Sequence, residues 1–298
     1  MKQTDLVVLT DSRWIAPKIV DAYTENVLTE DGLVVDALRE QGLRVERKAW
    51  DDPNFEWSST RSVLFRTTWD YFDRFTEFSK WLNKISSQTR LFNSEKLIKW
   101  NLDKHYLLDL SDKKVHITPT RFIEKDENIK LSDLLKNTEW YNAVLKPCVS
   151  GAARHTYKIS EKNVAQYETI FKELLKQEAL MLQPFQHNIV EEGELSLMII
   201  DGRYTHAILK KAKPGDFRVQ DDFGGSVHDY TPTREEIAFA ENAVKNCIES
   251  PLYARVDMFT DNDDKLAVSE LELIEPELWF RFYPKAAVQL AKAIARTL

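Results

Sequence analysis

The chain of 298 residues is poor in the residues that mark several common kinds of site. It has two cysteines, Cys148 and Cys247, which are too few for a disulfide framework or a cysteine-rich metal site. It has eight glycines, and it contains neither G-x-G-x-x-G nor the Walker A pattern G-x-x-x-x-G-K-S/T. These absences argue against a Rossmann nicotinamide site and against a P-loop.

Other absences narrow the class of protein further. No apolar run reaches the length of a membrane-spanning helix, and the start, MKQTDLVVLTDSRW, holds too short an apolar run for a signal peptide. The six histidines show no zinc-ligand spacing. A net charge of −7 argues against general binding to nucleic-acid phosphates. We therefore expect a cytoplasmic protein without a membrane or nucleic-acid partner.

The residues that are present describe a globular chain with alternating strand and helix patterns. The length of 298 residues is enough for about two domains and a sizeable core, and a hydrophobic fraction of 43% is ordinary for a globular protein. The pattern predicts a strand at 6–10, a helix at 31–41 that ends at Gly42, and strands at 43–45 and 63–66. We therefore predict an α/β (α+β) fold that opens with a β-α-β domain.

The later sequence predicts more of both elements. Residues 95–110 have the spacing of one amphipathic helix. The dipeptide Asp201-Gly202 predicts a tight hairpin turn between strands at 195–200 and 204–210. Residues 210–225 predict a loop, and a loop of this length inside a compact domain is more often a binding loop or a lid than filler.

Two acidic strand patterns near the C-terminus give the strongest indication of a site. Residues 253–260 and 266–274 alternate bulky and polar side chains around an Asp/Asn-rich turn. We assume a register in which Asp261 pairs with Leu266. That register places these charged residues directly opposite each other: Asp257 with Glu270, and Arg255 with Glu272.

Facing carboxylates are unusual in a sheet, because acidic residues are depleted in strands and like charges directly opposite destabilise the pairing. A hard divalent cation removes the repulsion, and Mg²⁺ takes one or two protein carboxylates and leaves its other positions to water and phosphate. Asp257 and Glu270 are therefore candidate magnesium ligands. The alternative is a solvated strand face on which Arg255 neutralises one glutamate.

A second candidate site follows the strand at 63–66, where the sequence is RTTWDY. Loops at the carboxyl ends of strands in open α/β sheets bind ligands. Arg66 could clamp a substrate carboxylate and Asp70 an amine, with Trp69 or Tyr71 as an apolar wall. An ordinary loop whose aromatic residues pack on the next helix explains the same pattern equally well.

A third candidate is the small-residue loop CVSGAARHT at 148–156, which follows Lys146-Pro147. A glycine loop that offers backbone N–H groups beside a lysine suits a phosphate. Taken alone, this segment is better explained as a hairpin loop. We interpret Cys148 as a small buried residue rather than as a nucleophile.

Short motifs of this kind occur in a defined order over about residues 91–298. In chain order they are Lys104, Lys146-Pro147, Ser150-Gly151-Ala152, Gln183-Pro184-Phe185, Gly193-Glu194, Lys210, Arg218 with Gly224-Gly225, Asp257, and Glu270-Leu271-Glu272. In this order they resemble the ATP-grasp superfamily of carboxylate ligases. The chain is similar to prokaryotic glutathione synthetase. It is still more similar to the O-ureido-D-serine cyclo-ligase group of cycloserine biosynthesis, with which it shares Arg-x-x-Trp-Asp-Tyr and Glu-Leu-Glu-Leu-Ile-Glu-Pro.

The resemblance implies an ATP-grasp fold with three parts. A Rossmann-like pre-ATP-grasp substrate domain would occupy residues 1–95, a small lid subdomain 96–185, and a large subdomain with the metal site 186–298. It also implies an ATP site, in which the lysines hold phosphates, the 150–152 loop acts as a lid, the 183–185 hinge reads adenine and the glutamate binds ribose. Its residues would be Lys104, Lys146, Ser150, Gly151, Ala152, Gln183, Pro184, Phe185 and Glu194.

The remaining roles also follow from the resemblance. Lys210, Arg218 and Arg255 would be catalytic, and Gly224 with Gly225 would let backbone approach the substrate beside the Arg66–Tyr71 loop. One or two Mg²⁺ ions, with Mn²⁺ as a substitute, would be bound by three carboxylates. These are Asp257, Glu270 and Glu272, the last of which stands where many relatives have Asn.

The activity that the resemblance implies is an ATP- and Mg²⁺-dependent carboxylate–amine ligase. A small amino-acid or peptide-like carboxylate would be activated as an acyl phosphate and attacked by an amine, with release of ADP and phosphate. One alternative is ring closure within a single molecule, as in the cycloserine-type relatives. Another is nucleotide binding without turnover, and the sequence leaves open a homodimer.

Overall fold

The computed structural model describes residues 2–151, 153–216, 218–219 and 224–298. Its strands are β1 Thr4–Thr10, β2 Val45–Ala49, β3 Thr60–Thr67, β4 Arg90–Phe92, β5 Arg121–Ile123, β6 Asn142–Pro147, β7 Tyr157–Ser160, β8 Leu180–Pro184, β9 Glu194–Ile200, β10 Arg203–Lys211, β11 Ser226–Tyr230, β12 Tyr253–Thr260 and β13 Leu266–Glu272. Its α-helices are α1 Ala22–Glu40, α2 Phe75–Ile85, α3 Glu95–Asn101, α4 Tyr106–Asp112, α5 Leu131–Thr138, α6 Val164–Leu175, α7 His187–Glu191, α8 Arg234–Lys245 and α9 Pro284–Ala295.

The first sheet is parallel, with strand order β2-β1-β3-β4. Successive residues of β1 enter two different cores, because side chains alternate across a strand. Leu6 and Val8 pack with α1 and α9, whereas Val7 and Leu9 pack with α2. Burial on both faces explains why β1 is a continuous apolar run rather than an alternating one.

The second sheet, β5-β8-β6-β7, is antiparallel. One face carries Leu145 and Leu182, which pack against α5 and α6 through residues such as Leu134 and Phe171. This small core leaves the ends of β6 and β8 free to contribute to a cavity, which is described below.

The third sheet, β11-β10-β9-β12-β13, is antiparallel and has cores on both faces. Leu197 of β9 packs with α3, α4 and α8, whereas Met198 packs with α9. The last helix thus lies between the first and third sheets, where Leu290 and Ile294 contribute to a shared core.

The structure confirms the predicted mixed α/β fold, and the three sheets fall within the three ranges predicted as domains. The predicted boundary at residue 96 puts α4 and most of α3 in the range of the lid subdomain, whereas both helices pack on the third sheet. Gly42 follows α1 with a φ of +81°, as expected for a helix-ending glycine. Strand β11 and the short helix α7 were not predicted. In the described part of the chain, no helix is both long and apolar enough to cross a membrane.

The predicted single helix over 95–110 is wrong. The chain leaves helical geometry after Asn101 and re-enters it at Tyr106. In the break, the backbone N–H of Lys104 donates to the carbonyl of Cys148 at 2.9 Å, and the Asp103 carboxylate accepts from the N–H of His105. Partners outside the segment therefore replace helix hydrogen bonds, which the amphipathic pattern alone does not predict.

Buried His206 links the third sheet to the segment before α9. Its Nε2 donates to the carbonyl of Leu278 at 2.8 Å, and its ring stacks on Tyr283. Burial lowers the pKa of His206 from 6.5 to about 4. Between these pH values, His206 therefore binds a proton in the unfolded chain but not in the folded protein.

We expect the free energy of unfolding to fall by about 3 kcal/mol from this one group as the pH is lowered from 6.5 to about 4. In His206→Gln, which keeps an amide donor but cannot titrate, this part of the pH dependence should disappear. Urea unfolding at several pH values measures it. Equal pH dependence in the two proteins would contradict the assignment, whatever the variant's baseline stability.

Candidate active site

A cavity of about 520 Å³ lies among the three sheets. It is lined by Lys146 of β6 and Gln183 of β8, and by the polar face of the β12–β13 hairpin. Trp69, from the loop after β3, and Trp279, from the segment before α9, also line it. This volume lies within the range of small-ligand sites, and the second sheet, the third sheet and the segments that follow β1 and β3 contribute side chains to it.

The β12–β13 hairpin carries the predicted charged pairs, although by a different register. Thr260, not Asp261, pairs with Leu266, so the assumed register is wrong by one residue near the turn. A bulge at Ser269 inserts one residue and restores the offset. Beyond the bulge the partners are those predicted: Asp257 with Glu270, and Arg255 with Glu272.

Asp257 is the most completely bonded carboxylate of the hairpin. It accepts two hydrogen bonds from Arg255, one from Ser196 and one from Lys210 at 3.0 Å. Burial favours the protonated form, but Arg255 and Lys210 outweigh it and hold the pKa of Asp257 well below its usual range. Asp257 is therefore ionised, and it is 3% exposed.

Lys210 forms a buried bridge between two acids. Its ammonium lies 2.7 Å from Glu194 and 3.0 Å from Asp257, and the residue is 4% exposed. Burial alone would favour the neutral amine, but these two carboxylates raise the pKa of Lys210 above its ordinary value. Ser269 donates to the other oxygen of Glu194.

The helix break places Lys104 against the same hairpin. The Lys104 ammonium donates to the carbonyl of Ser150 at 2.6 Å and pairs with Glu270 at 2.9 Å. Burial opposes its charge, yet Glu270 is close enough to raise the pKa of Lys104. One lysine thus connects the 148–156 loop to the acidic hairpin.

Lys146 differs from the other two lysines. Within the described residues, its ammonium has no hydrogen bond or ion pair, although it lines the cavity. Burial lowers the pKa of Lys146, and the neighbouring Lys104 adds to this effect, while Glu270 opposes it. Two ammonium groups that line one cavity, one of them without an acceptor, fit an anionic ligand.

The two glutamates of β13 keep part of their coordinating capacity. Oε1 of Glu270 faces Lys104 and Oε1 of Glu272 faces Arg255, which leaves the second oxygen of each glutamate without a hydrogen bond in the described structure. Burial and the nearby Glu270 raise the pKa of Glu272 to about 7, against the effect of Arg255. A divalent cation beside these glutamates would favour their charged forms.

Another group of potential ligands lies outside the cavity. Asp103, His105 and Cys148 present ligand atoms within 4.8 Å of one another. The Nδ1 atom of His105 already lies 2.6 Å from Asp103, and burial raises the pKa of the Cys148 thiol well above its usual range. The hairpin glutamates therefore fit a hard cation better than this group does.

Two comparisons with known sequences bear on this geometry. A family model described as the N-terminal domain of the D-cycloserine synthetase DcsG matches residues 6–93. The cycloserine biosynthesis protein DcsG of Streptomyces lavendulae is 28% identical to this chain over 288 residues. That similarity covers 89% of this chain and 92% of the Streptomyces protein.

Solved structures extend the likeness to the whole chain. The crystal structure of D-cycloserine synthetase DcsG is similar with a TM-score of 0.86 and 27% identity, over 98% of this chain and 99% of that chain. The ATP-grasp ligase PsnB, solved with a precursor variant, Mg and ADP, is similar with a TM-score of 0.66 and 15% identity, over 99% of this chain and 100% of that chain. The chain has an ATP-grasp fold.

The ATP-grasp chain positions most of the predicted nucleotide-site residues on the cavity wall. Gln183 donates to Thr120 at 2.9 Å, and the Phe185 ring packs under the Lys158 ammonium at 3.5 Å. Gly193 has a φ of +102°, and an added Cβ would lie 2.5 Å from the carbonyl oxygen of Lys210. The predicted residues that line the cavity are Lys104, Lys146, Ser150, Gly151, Gln183, Pro184, Phe185, Glu194, Lys210, Arg218, Arg255, Asp257, Glu270 and Glu272.

Two predictions for the loop after β3 differ from the structure. Arg66 is fully buried and cannot reach the cavity; it donates to the carbonyl of Pro276 at 2.9 Å and lies 3.9 Å from Glu30. Asp70 does not line the cavity either, because Trp50 and Arg74 hold its carboxylate. The proposed carboxylate clamp and amine-binding acid are therefore wrong.

The other substrate-site predictions have mixed outcomes. Trp69 lines the cavity and donates to the carbonyl of Glu275 at 2.9 Å, whereas Tyr71 is buried in an aromatic core. Gly224 has a φ of +81° and lies beside Lys213 rather than on the cavity wall. Gly225 is also absent from that wall, and Ala152 lies outside the described residues.

Sequence reasoning missed two groups of cavity residues. Arg13, Trp14 and Tyr23 follow β1, whose carboxyl end is a general ligand-binding position that could have indicated them. Glu275 and its neighbours follow β13, directly after the acidic pattern. The neighbours on the wall are Glu277 and Trp279.

The Lys210 bridge predicts a large effect on stability. In Lys210→Met, Glu194 loses its cation and Asp257 keeps only Arg255, so a buried charge is left uncompensated. We expect the free energy of unfolding to fall by about 3–5 kcal/mol, as measured by urea unfolding. Lys211→Met, at the next and exposed position, is the matched control and should change little. Equal stability of the two variants would refute the bridge.

Proposed function

We propose that this ATP-grasp protein is an ATP- and Mg²⁺-dependent ligase. It joins the carboxylate of a small amino-acid or peptide-like substrate to an amine, with release of ADP and phosphate. The observation that carries the proposal is the meeting of Lys104 and Lys146 with the Glu270–Glu272 carboxylates in one cavity. Phosphate-binding cations and metal-binding acids are the two requirements of phosphoryl transfer.

Lys146 and Lys104 are proposed to hold the phosphates, since one ammonium lacks a protein acceptor and the other lies beside the 148–156 loop. Gln183, Pro184 and Phe185 are proposed to receive the adenine. Apolar Val144, Ile189 and Phe259 on the same wall support this assignment. Glu194, which is proposed to bind ribose, has both oxygens engaged by protein donors, so ribose binding requires exchange of one of them.

Asp257, Glu270 and Glu272 are proposed to hold one or two Mg²⁺ ions, with Mn²⁺ as a substitute. The free oxygens of the two glutamates support this, whereas Asp257 must first release one of its four donors. When bound, the metal and nucleotide supply charge neutralisation and the phosphoryl group. Arg255, Lys210 and Arg218 are proposed to stabilise negative charge at the reacting carboxylate.

A lid contact supports the exclusion of water from the activated carboxylate. Gly151 of the 148–156 loop lies against Phe72 of the loop after β3, so close that an added Cβ would lie 2.6 Å from the ring. Arg154 of the same loop bridges Glu178 at 2.8 Å and Asp73 at 3.9 Å. Closure of such a loop protects an activated intermediate from hydrolysis.

A second candidate reaction is closure of a ring within one molecule. It is favoured by the similarity to D-cycloserine synthetase over 98% of the chain, and by the family match over residues 6–93, which include the substrate-side Trp69. Nucleotide binding without turnover is disfavoured because the lysines and carboxylates are all present. A cytoplasmic location, a homodimer, and the absence of nucleic-acid and membrane partners complete the proposal.

The test of the proposed activity is ADP release by purified protein with ATP, Mg²⁺ and a panel of amino acids, alone and in pairs, together with O-ureido-D-serine. Ligation between molecules requires two partners, whereas ring closure proceeds with O-ureido-D-serine alone. We expect Glu270→Gln to lower turnover about 100-fold or more, because it removes a charge that holds the metal. Turnover at the wild-type rate would remove Glu270 from the metal site.

Lys146→Met provides an independent test of the nucleotide site. Because the replaced ammonium has no hydrogen bond or ion pair with the described residues, we expect the fold to be unchanged. We expect the affinity for ATP to fall about 10-fold or more, through the loss of one charge-assisted contact. Calorimetric titration with a non-hydrolysable ATP analogue measures the affinity. Lys162→Met, which removes an exposed cation that does not line the cavity, is the control, and the same affinity in both variants would contradict the assignment.

Gly151→Ala tests the lid. The added methyl group would push against Phe72, so we expect a lower rate of ligation and a larger fraction of ATP lost to hydrolysis, as measured by the ratio of ADP to ligated product. Phe72→Ala should partly restore the ratio in the double variant. Gly32→Ala, where no atom lies within 4 Å of the added Cβ, is the control. An unchanged ratio in Gly151→Ala would show that the contact plays no part in closure.

A further inference from the structure

The acids on the cavity wall are not equivalent in their ion pairs. In the described part of the chain, five of them each have an arginine or lysine within 4 Å: Glu194 and Asp257 with Lys210, Glu270 with Lys104, Glu272 with Arg255, and Glu277 with Arg281. Glu275 lines the same cavity and has no ion pair among those residues. Burying a charged carboxylate without a neighbouring cation costs free energy, unless the group binds a proton or a ligand.

Two residues of the loop after β3 also hold Glu275 in place. The Trp69 indole donates to its backbone carbonyl at 2.9 Å, and the Tyr71 hydroxyl interacts with its carboxyl group. Tyr71 is 6% exposed, and its ring packs on Phe72 and Phe78. Packing of this kind fixes a side chain in one position, as a reacting group requires.

The titratable groups that face Glu275 come from three elements. They are Tyr71 from the loop after β3, Tyr253 from β12, and Glu270 and Glu272 from β13. Burial and the neighbouring Glu272 raise the pKa of Glu275 to about 8, while Tyr71 acts in the opposite direction. A carboxyl group that titrates near neutral pH can both accept and release a proton at a useful rate.

The other cavity acids are unsuited to receive a proton from a substrate. Asp257 is saturated by four donors, both oxygens of Glu194 are engaged by Lys210 and Ser269, and Glu277 is paired with Arg281. Glu270 and Glu272 are proposed metal ligands, so their carboxylates would not be available to accept a proton. We propose that Glu275 is the catalytic base that accepts a proton from the nitrogen that attacks the activated carboxylate. This inference depends on the proposed ligase function.

The step balances as follows. The nitrogen lone pair forms the C–N bond while the bond from the acyl carbon to the phosphate oxygen breaks and its electron pair leaves with phosphate. One N–H proton moves to the Glu275 carboxylate, which becomes neutral. That proton then passes to the departing phosphate or to water, which returns Glu275 to its starting form. The same transfer applies whether the nitrogen belongs to a second molecule or to the same one.

The test compares two nucleophiles in Glu275→Gln. The carboxylate probe is O-ureido-D-serine or the best amino acid of the panel, and the second nucleophile is hydroxylamine, which traps acyl phosphates without a protein base. We expect ligation or ring closure to fall about 100-fold in kcat, with KM for ATP unchanged. Formation of the hydroxamate should stay within about threefold of the wild-type rate. Glu249→Gln, at an exposed site, is the control.

Tyr71→Phe is a second variant that keeps the aromatic packing. Loss of the hydroxyl removes the interaction that lowers the pKa of Glu275, so the acid limb of the kcat profile should move to higher pH. Wild-type ligation in Glu275→Gln, or an equal loss of ligation and hydroxamate formation, would overturn the assignment. Absence of ADP release by the wild-type protein with every probe, hydroxylamine included, would instead overturn the proposed function.

Discussion

The fold is stable only if nearby cations offset the negative charge that is concentrated on the two-stranded β12–β13 hairpin. Asp257, Glu270 and Glu272 lie close together on β12 and β13, where like charges would repel each other. The cations that offset them come from different parts of the fold: Lys104 from a helix break, Lys210 from β10 and Arg255 from β12. Because a buried acid without its partner is strongly destabilising, this balance also fixes how the surrounding elements meet.

The sequence was informative wherever a residue's environment follows from local periodicity. The alternation in residues 253–260 and 266–274 predicted both strands and put the acids on one face, and the structure bears out these pairs. It did not predict the bulge at Ser269, because a bulge is set by the meeting of strand and turn rather than by one residue type. The helix break at Lys104 could not be predicted for a similar reason, since the backbone N–H of Lys104 donates to the carbonyl of Cys148, which is distant in the chain.

Arg66 shows why the rest of the site could not be read from sequence. Its position at the end of a strand is suitable for ligand binding, but its environment is decided by Glu30 in α1 and Pro276 near the C-terminus. Both lie far from it in the chain. The neighbouring Trp69 and Tyr71 contact Glu275 on the cavity wall rather than forming a simple apolar wall. Local patterns thus identified a loop that reaches the cavity, but they did not predict the contacts of its side chains.

The position of α9 has a consequence for how the protein is made. Leu290 and Ile294 complete a core that also contains Leu6 of the first strand and Met198 of the third sheet. During synthesis, part of one face of each of those sheets therefore stays uncovered until residues 284–295 have left the ribosome. The earlier strands are partly exposed until then, so a nascent chain of this protein is expected to depend on chaperones until α9 docks.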